Sequence, residues 1–187
     1  MTDRAVLAST RFLVDQMKRA VGVPFAEPGL SPVNDFWIQH AARHLNTVLE
    51  VRPLPKGIYE IATPGYLGRP VIAIQKGLPT NEKRFALRHG LAHLLGGELD
   101  ECEAGQVRFM SSVLDLMSLE ERRADLFALV DMVPDHYIAE VPSQGAADLE
   151  YWVAERIRVL LPSWPEERVK DRARLRVLYF GSPSEAL

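Results

Sequence analysis

The chain has 187 residues, 47% of them hydrophobic and 25% charged, enough for one domain with a substantial buried core. A formal net charge of -3 gives no electrostatic case for nucleic acid as a direct partner, and no apolar run reaches the length of a membrane span. The single cysteine, Cys102, excludes an intrachain disulfide, and Arg11 and Asp15 interrupt any signal-like apolar segment, so the expected compartment is the cytoplasm.

The first element is a helix from about Arg4 to Val21, with Val6, Leu13, Met17 and Ala20 on one face. A Pro/Gly-containing connection follows, Val23-Pro-Phe-Ala-Glu-Pro-Gly-Leu30. Ser31 and Pro32 then suit the start of a second helix with Val33, Trp37, Ile38, Ala41 and Leu45 as its apolar stripe. Three short β-like runs come next, at 47–52, 57–62 and 70–75, separated by turn chemistry at Pro53-Leu-Pro-Lys-Gly57, Pro64-Gly65 and Gly68.

Thr80 is the expected cap of a third helix, which Gly96-Gly97 ends. A fourth helix spans 119–132 and stops before Pro134. Two more are expected at 148–161 and 165–180, the last introduced by the capping-box pattern Ser163-Trp-Pro-Glu166. Along that last helix, Arg168, Lys170, Arg172, Arg174 and Arg176 interleave with Glu166, Glu167 and Asp171, which reads as a solvated face. Helices flanking a small three-stranded sheet without regular βαβ alternation indicate an α+β fold. The expected layout is one domain over 1–140, with a helical extension over 141–187 packed on it.

The third helix carries His89-Gly-Leu-Ala-His93. Residues four apart share a helix face, so both imidazoles can reach one ion, as in the His-Glu-x-x-His motif of zinc peptidases. Ala86, Ala92 and Gly96 flank the pair and are expected to leave room for a metal and a substrate. Glu121 on the following helix is the candidate third ligand, with water in the fourth position of an open zinc site. Asp125, one turn beyond, can accept the other ring N–H of a ligand histidine and fix its tautomer.

The strand at 70–75, with Val71, Ile72, Ala73 and Ile74, is a candidate for pairing with an extended peptide substrate. A second pair, His40 and His44, has no such glutamate after it. Cys102 reads as a free structural thiol.

The motif position of the general base holds Gly90, which has no side chain. A positioned general acid/base contributes about 10² to 10⁴ in rate, so peptide-bond hydrolysis is expected to be compromised. Glu98, Asp100, Glu101 and Glu103 follow the helix and offer candidate replacements on a loop that could fold back. His136 and Tyr137 are candidate groups for polarising a scissile carbonyl.

The stretch from about 57 to 134 resembles the ImmA/IrrE family of gluzincin-type metallopeptidases. The resemblance rests on Gly68-Arg-Pro-Val-Ile-Ala-Ile-Gln75, Arg84-Phe-Ala-Leu-Arg-His-Gly-Leu-Ala-His-Leu-Leu95, Glu121-Arg-Arg-Ala-Asp-Leu-Phe-Ala128 and Met132-Val-Pro134, in that order. It implies a zincin-like fold with Zn2+ held by His89, His93 and Glu121. It also implies a role in stress response or transcription regulation, through cleavage of a helix-turn-helix repressor that is a separate protein. The alternative is a pseudo-peptidase that binds or sequesters such a partner without cutting it.

Overall fold

The structure, a computed structural model, describes residues 2–21, 36–65, 68–98, 108–111, 118–142 and 145–182. The elements in chain order are α1 (Asp3–Val21), α2 (Phe36–His44), β1 (Val48–Arg52), β2 (Ile58–Thr63), β3 (Val71–Gln75), α3 (Thr80–Leu95), β4 (Arg108–Ser111), α4 (Leu119–Met132), α5 (Asp135–Ala139), α6 (Ala146–Leu160) and α7 (Glu166–Gly181). The fold is α+β. The three expected strands form the sheet, and β4 adds a fourth along β2, giving the order β1-β3-β2-β4.

Strand β3 runs parallel to β1 and antiparallel to β2. Glu60 pairs with Ile74 and Ala62 with Ile72, so these four side chains share one face of the sheet. That face receives α3, which packs on both β2 and β3. The β2–β4 ladder runs Ile58↔Ser111 and then Ile61↔Phe109, so β2 carries one extra residue across this stretch. A bulge of this kind bends a strand and re-aims its side chains.

Helix α3 lies antiparallel to α4, with His93 beside Glu121, His89 beside Asp125 and Arg88 beside Asp131. One hydrophobic core joins α1, α2, β3, α3, α4, α6 and α7, through Met17, Trp37, Ile72, Phe85, Phe127, Ile157 and Leu175 among others. The C-terminal helices are part of this core. Trp37 Nε1 donates to Asp131 Oδ2 at 3.1 Å, and Arg88 Nε donates to the same oxygen at 2.6 Å, tying α2, α3 and α4 together inside it.

Several expected helix ends differ in detail. Pro79 rather than Thr80 is the N-cap of α3, with no side-chain cap bond, because the helix begins one residue earlier than the hydroxyl cap assumed. Ser163 makes no capping box at α7. Its N–H donates instead to Glu82 Oε1 at 3.2 Å, and Pro165 stands at the N-cap. The end of α3 follows expectation: Gly96 N–H reaches Ala92 O, Gly97 N–H reaches Leu94 O, and Gly97 takes the left-handed φ of 72° that glycine accepts without strain. The proposed caps Ser31 and Pro32 lie outside the described residues, as does Cys102.

Candidate metal centre

Local sequence sets the two helices that carry the site. Ser118, the N-cap of α4, accepts the Glu121 N–H at 3.2 Å, which fixes the first turn and places Glu121 at the positive end of the helix dipole. On α3, His89 and His93 lie one turn apart and both are buried. Their Nε2 atoms stand 2.8 Å from each other. His89 Nε2 is 3.3 Å from Glu121 Oε2, and His93 Nε2 is 3.5 Å from Glu121 Oε1. The ligand atoms of these three residues all lie within 4.8 Å of one another, and theirs is the one such group among the described residues.

Each imidazole is oriented from behind. Asp125 Oδ1 lies 3.0 Å from His89 Nδ1, and Glu98 Oε2 contacts His93 Nδ1. A carboxylate on Nδ1 holds the proton there and leaves the Nε2 lone pair facing the partner ring and Glu121. The donor set therefore suits one cation with an open position. Glu121, 14% exposed at its side chain, marks the solvent side.

The carboxylates are held in turn. Arg168 binds Asp125 through two nitrogens at 3.0 and 2.6 Å, and Arg172 Nε adds a third bond at 2.8 Å. Arg123 pairs with the other oxygen of Glu98. Gly96 makes room for this arginine: a Cβ there would stand 3.0 Å from Arg123 Cζ. The space at Gly96 thus serves a guanidinium, not the metal or substrate for which it was expected.

The electrostatics favour positive charge. Burial alone would depress the His89 pKa, but Glu121 and the bond to Asp125 overcome it and push it up to about 10. Burial would raise Asp125 as well, and Arg168, Arg172 and His89 reverse that, holding its carboxyl well below the usual range. Glu121 is likewise lowered, against its burial, by His89 and His93. A field that stabilises a proton between Nε2 and Glu121 stabilises a metal cation in the same place.

Glu60 also belongs to this site and is absent from the sequence reading. It is 1% exposed. Burial pushes its carboxyl up to about 8, with His89 drawing it down and Glu121 and Asp125 pushing it up. Its one sequence signal was alternation: Ile58, Glu60 and Ala62 occupy one face of a strand, so an acidic residue stands in an apolar row.

Other expected residues fall elsewhere. Val71, Ile72, Ala73 and Ile74 lie on β3, which is paired on both sides by β1 and β2. Its backbone cannot take an added peptide strand, and among the described residues the sheet edges are β1 and β4. The expectation failed because periodicity in one strand does not reveal its place in the sheet order.

His136 and Tyr137 stack on each other on α5, with ring centroids 4.5 Å apart. Arg176 Nε donates to Val133 O at 3.0 Å and its guanidinium pairs with Asp135, while Arg168 and Arg172, two and one turns earlier on α7, reach Asp125. His136 and Tyr137 thus sit by the far end of α4, about 16 Å along its axis from Glu121 at 1.5 Å per residue.

Arg168, Arg172 and Arg176 are all buried, so α7 is not a solvated basic face. Their i, i+4, i+8 spacing directs them inward to Asp125 and the C-terminus of α4, and leaves Lys170 and Arg174 exposed.

Glu98 is engaged by His93 and Arg123, and Asp100, Glu101 and Glu103 lie outside the described residues. No third ligand joins His40 and His44 among the described residues. Nor is any helix among them long and apolar enough to cross a membrane.

Residues 47–162, well over half of the chain, match the model of the IrrE N-terminal-like domain, Peptidase M78. The chain belongs to this family. The α+β architecture agrees with the zincin-like fold of the IrrE-type domain, and His89, His93 and Glu121 all fall within the matched stretch. Helix α1 and helix α7, with Arg168 and Arg172, lie outside it. No curated protein and no solved structure matches the chain.

Proposed function

We propose that this IrrE-type protein is a zinc metallo-endopeptidase acting on a regulatory protein, a helix-turn-helix transcriptional repressor. The observation that carries the reading is the convergence of two Nε2 atoms and the Glu121 carboxylate, with both Nδ1 atoms engaged by carboxylates. His89, His93 and Glu121 would hold the ion, Asp125 and Glu98 fix the two rings, and Arg168, Arg172 and Arg123 hold those carboxylates in place. Zinc bound there supplies Lewis-acid polarisation of a scissile carbonyl and acidifies water. The choice of zinc follows from the two imidazoles and one carboxylate, a donor set that suits it.

A second reading is a non-catalytic module that binds or sequesters its partner, and Gly90 favours it, because residue 90 supplies no proton acceptor. Zinc-loaded protein incubated with candidate repressors separates the two readings. Cleavage seen by mass spectrometry supports the peptidase, and a stable complex with an intact repressor supports the binding module. Neither binding nor cleavage across such repressors would sink both.

A further inference from the structure

We propose that Glu60, delivered from strand β2, is the general acid/base of this site, in place of the helix glutamate that Gly90 lacks. The proposal rests on the peptidase reading and deepens it.

The first support is shared space. A Cβ built on Gly90 would stand 2.9 Å from Ile72 Cγ2 and 3.1 Å from Glu60 Cδ, and closer still to Glu60 Oε1. The Glu60 carboxyl therefore lies where a side chain at position 90 would begin. A glutamate at 90 and Glu60 in its present position exclude each other, so the loss of one from the helix and the presence of the other on the sheet are one arrangement.

The second support is an unused acceptor. Glu60 is buried, yet its Oε2 has no hydrogen-bond partner among the described residues, and no ion pair to it occurs there. A buried carboxyl without a partner serves no packing purpose that an apolar residue would not serve better. The other carboxylates around the pair are engaged. Asp125 binds His89, Arg168 and Arg172, Glu98 binds His93 and Arg123, and Glu121 faces both Nε2 atoms. The groups acting electrostatically on Glu60 are His89 and Glu121, two of the three candidate ligands, and Asp125 behind His89.

The third support is the strand itself. The β2–β4 ladder slips between Ile58 and Ile61, the stretch that holds Glu60. Such irregularities re-aim side chains and are over-represented beside active sites.

In the reaction, the Glu60 carboxylate takes a proton from water as the water oxygen bonds to the scissile carbonyl carbon. It then gives that proton to the amide nitrogen as the carbon–nitrogen bond breaks. Water is added across the peptide bond, leaving one carboxyl and one amine, with no change of oxidation state.

Two measurements test this. In thermal melts of the metal-free protein, Gly90→Ala lowers Tm in the parent chain and lowers it less in a Glu60→Ala background. An equal loss in both backgrounds overturns the shared-space argument. With zinc loaded, hydrolysis of a randomised quenched-fluorescent peptide library falls about 10² to 10⁴-fold in Glu60→Gln, while zinc content and Tm do not fall. The exchange variant Glu60→Ala/Gly90→Glu recovers at least about tenfold over Glu60→Ala. Full hydrolysis by Glu60→Gln overturns the role of Glu60 and leaves the peptidase reading standing, whereas hydrolysis by the exchange variant when the parent is inert overturns both and favours the binding module. Zinc bound without hydrolysis by parent or exchange variant overturns the peptidase reading, and the role of Glu60 with it.

Discussion

His89 Nδ1 and Asp125 Oδ1 are 3.0 Å apart, and the same carboxylate takes Arg168 through two bonds and Arg172 through a third. The orientation of one candidate ligand is therefore set by a helix, α7, that lies beyond the stretch matching the family. Arg168 also stacks on Trp164, with its guanidinium carbon 3.9 Å from the ring centroid, so this end of α7 is anchored by an aromatic face as well as by charge.

Replacing Asp125 by alanine removes the acceptor for His89 and the carboxylate that the buried Arg168 and Arg172 share, while Arg172 keeps its contact with Asp171. Zinc affinity is expected to fall about 10- to 100-fold, and unfolding free energy by roughly 3 to 5 kcal/mol. Competition titration with a chromophoric chelator and urea unfolding read the two effects. Parent-like zinc affinity in Asp125→Ala would show that the second carboxylate shell does not orient the ring.

Arg88 tests the other buried network. Arg88→Ala removes the 2.6 Å ion pair to the buried Asp131 and keeps the Trp37 Nε1 bond to it at 3.1 Å. The expected cost is about 3 to 5 kcal/mol, a drop in Tm on the order of 10 °C at this chain length. Zinc stoichiometry should be unchanged, because the pair lies away from the ligand atoms. A Tm within about 2 °C of the parent would contradict the importance given to this contact.

Most of what forms the elements was legible from periodicity. The end of α4 before Pro134 and the end of α3 at Gly96-Gly97 follow directly from the proline and the glycine pair. The order of strands was not, since it depends on which edges meet after folding, and the internal position of β3 removed the proposed peptide-binding edge. The buried face of α7 was hidden because arginine usually signals solvent, and only the acid it meets, Asp125, makes burial tolerable. Glu60 was missed for the same reason in reverse: it lies some 30 residues from the histidine pair, and only the β2–α3 packing brings it to Gly90.

The pH dependence of the metal-free protein follows from two raised pKa values. For Glu60, pushed by burial from about 4.5 to about 8, the stabilising contribution is complete below the unfolded value and is lost as pH rises through the folded one. His89 acts in the same direction over a higher window, from its ordinary 6.5 up to about 10. Stability of chelator-treated protein should therefore decline from about pH 5 towards pH 10. Glu60→Gln should remove the lower part of that decline, and its advantage over the parent should grow to a few kcal/mol, roughly, by pH 8. A difference between the two proteins that stays constant over pH 4 to 9 would contradict the assignment.

Gly97 sits at φ 72°, where any other L-residue is strained. Gly97→Ala should cost about 1 to 2 kcal/mol and lower Tm by roughly 2 to 8 °C. Gly97→Asn should cost less, since asparagine tolerates this conformation better. Equal melting of all three proteins would show that the end of α3 relaxes out of the left-handed region.

The most direct test of the whole account is the metal content of the purified protein. One zinc ion per chain, with stoichiometric binding lost in His89→Ala, His93→Ala and Glu121→Ala and kept in His136→Ala, is the result expected from the three converging side chains. A chain that neither carries zinc nor takes it up on titration would contradict the metal centre and every function built on it.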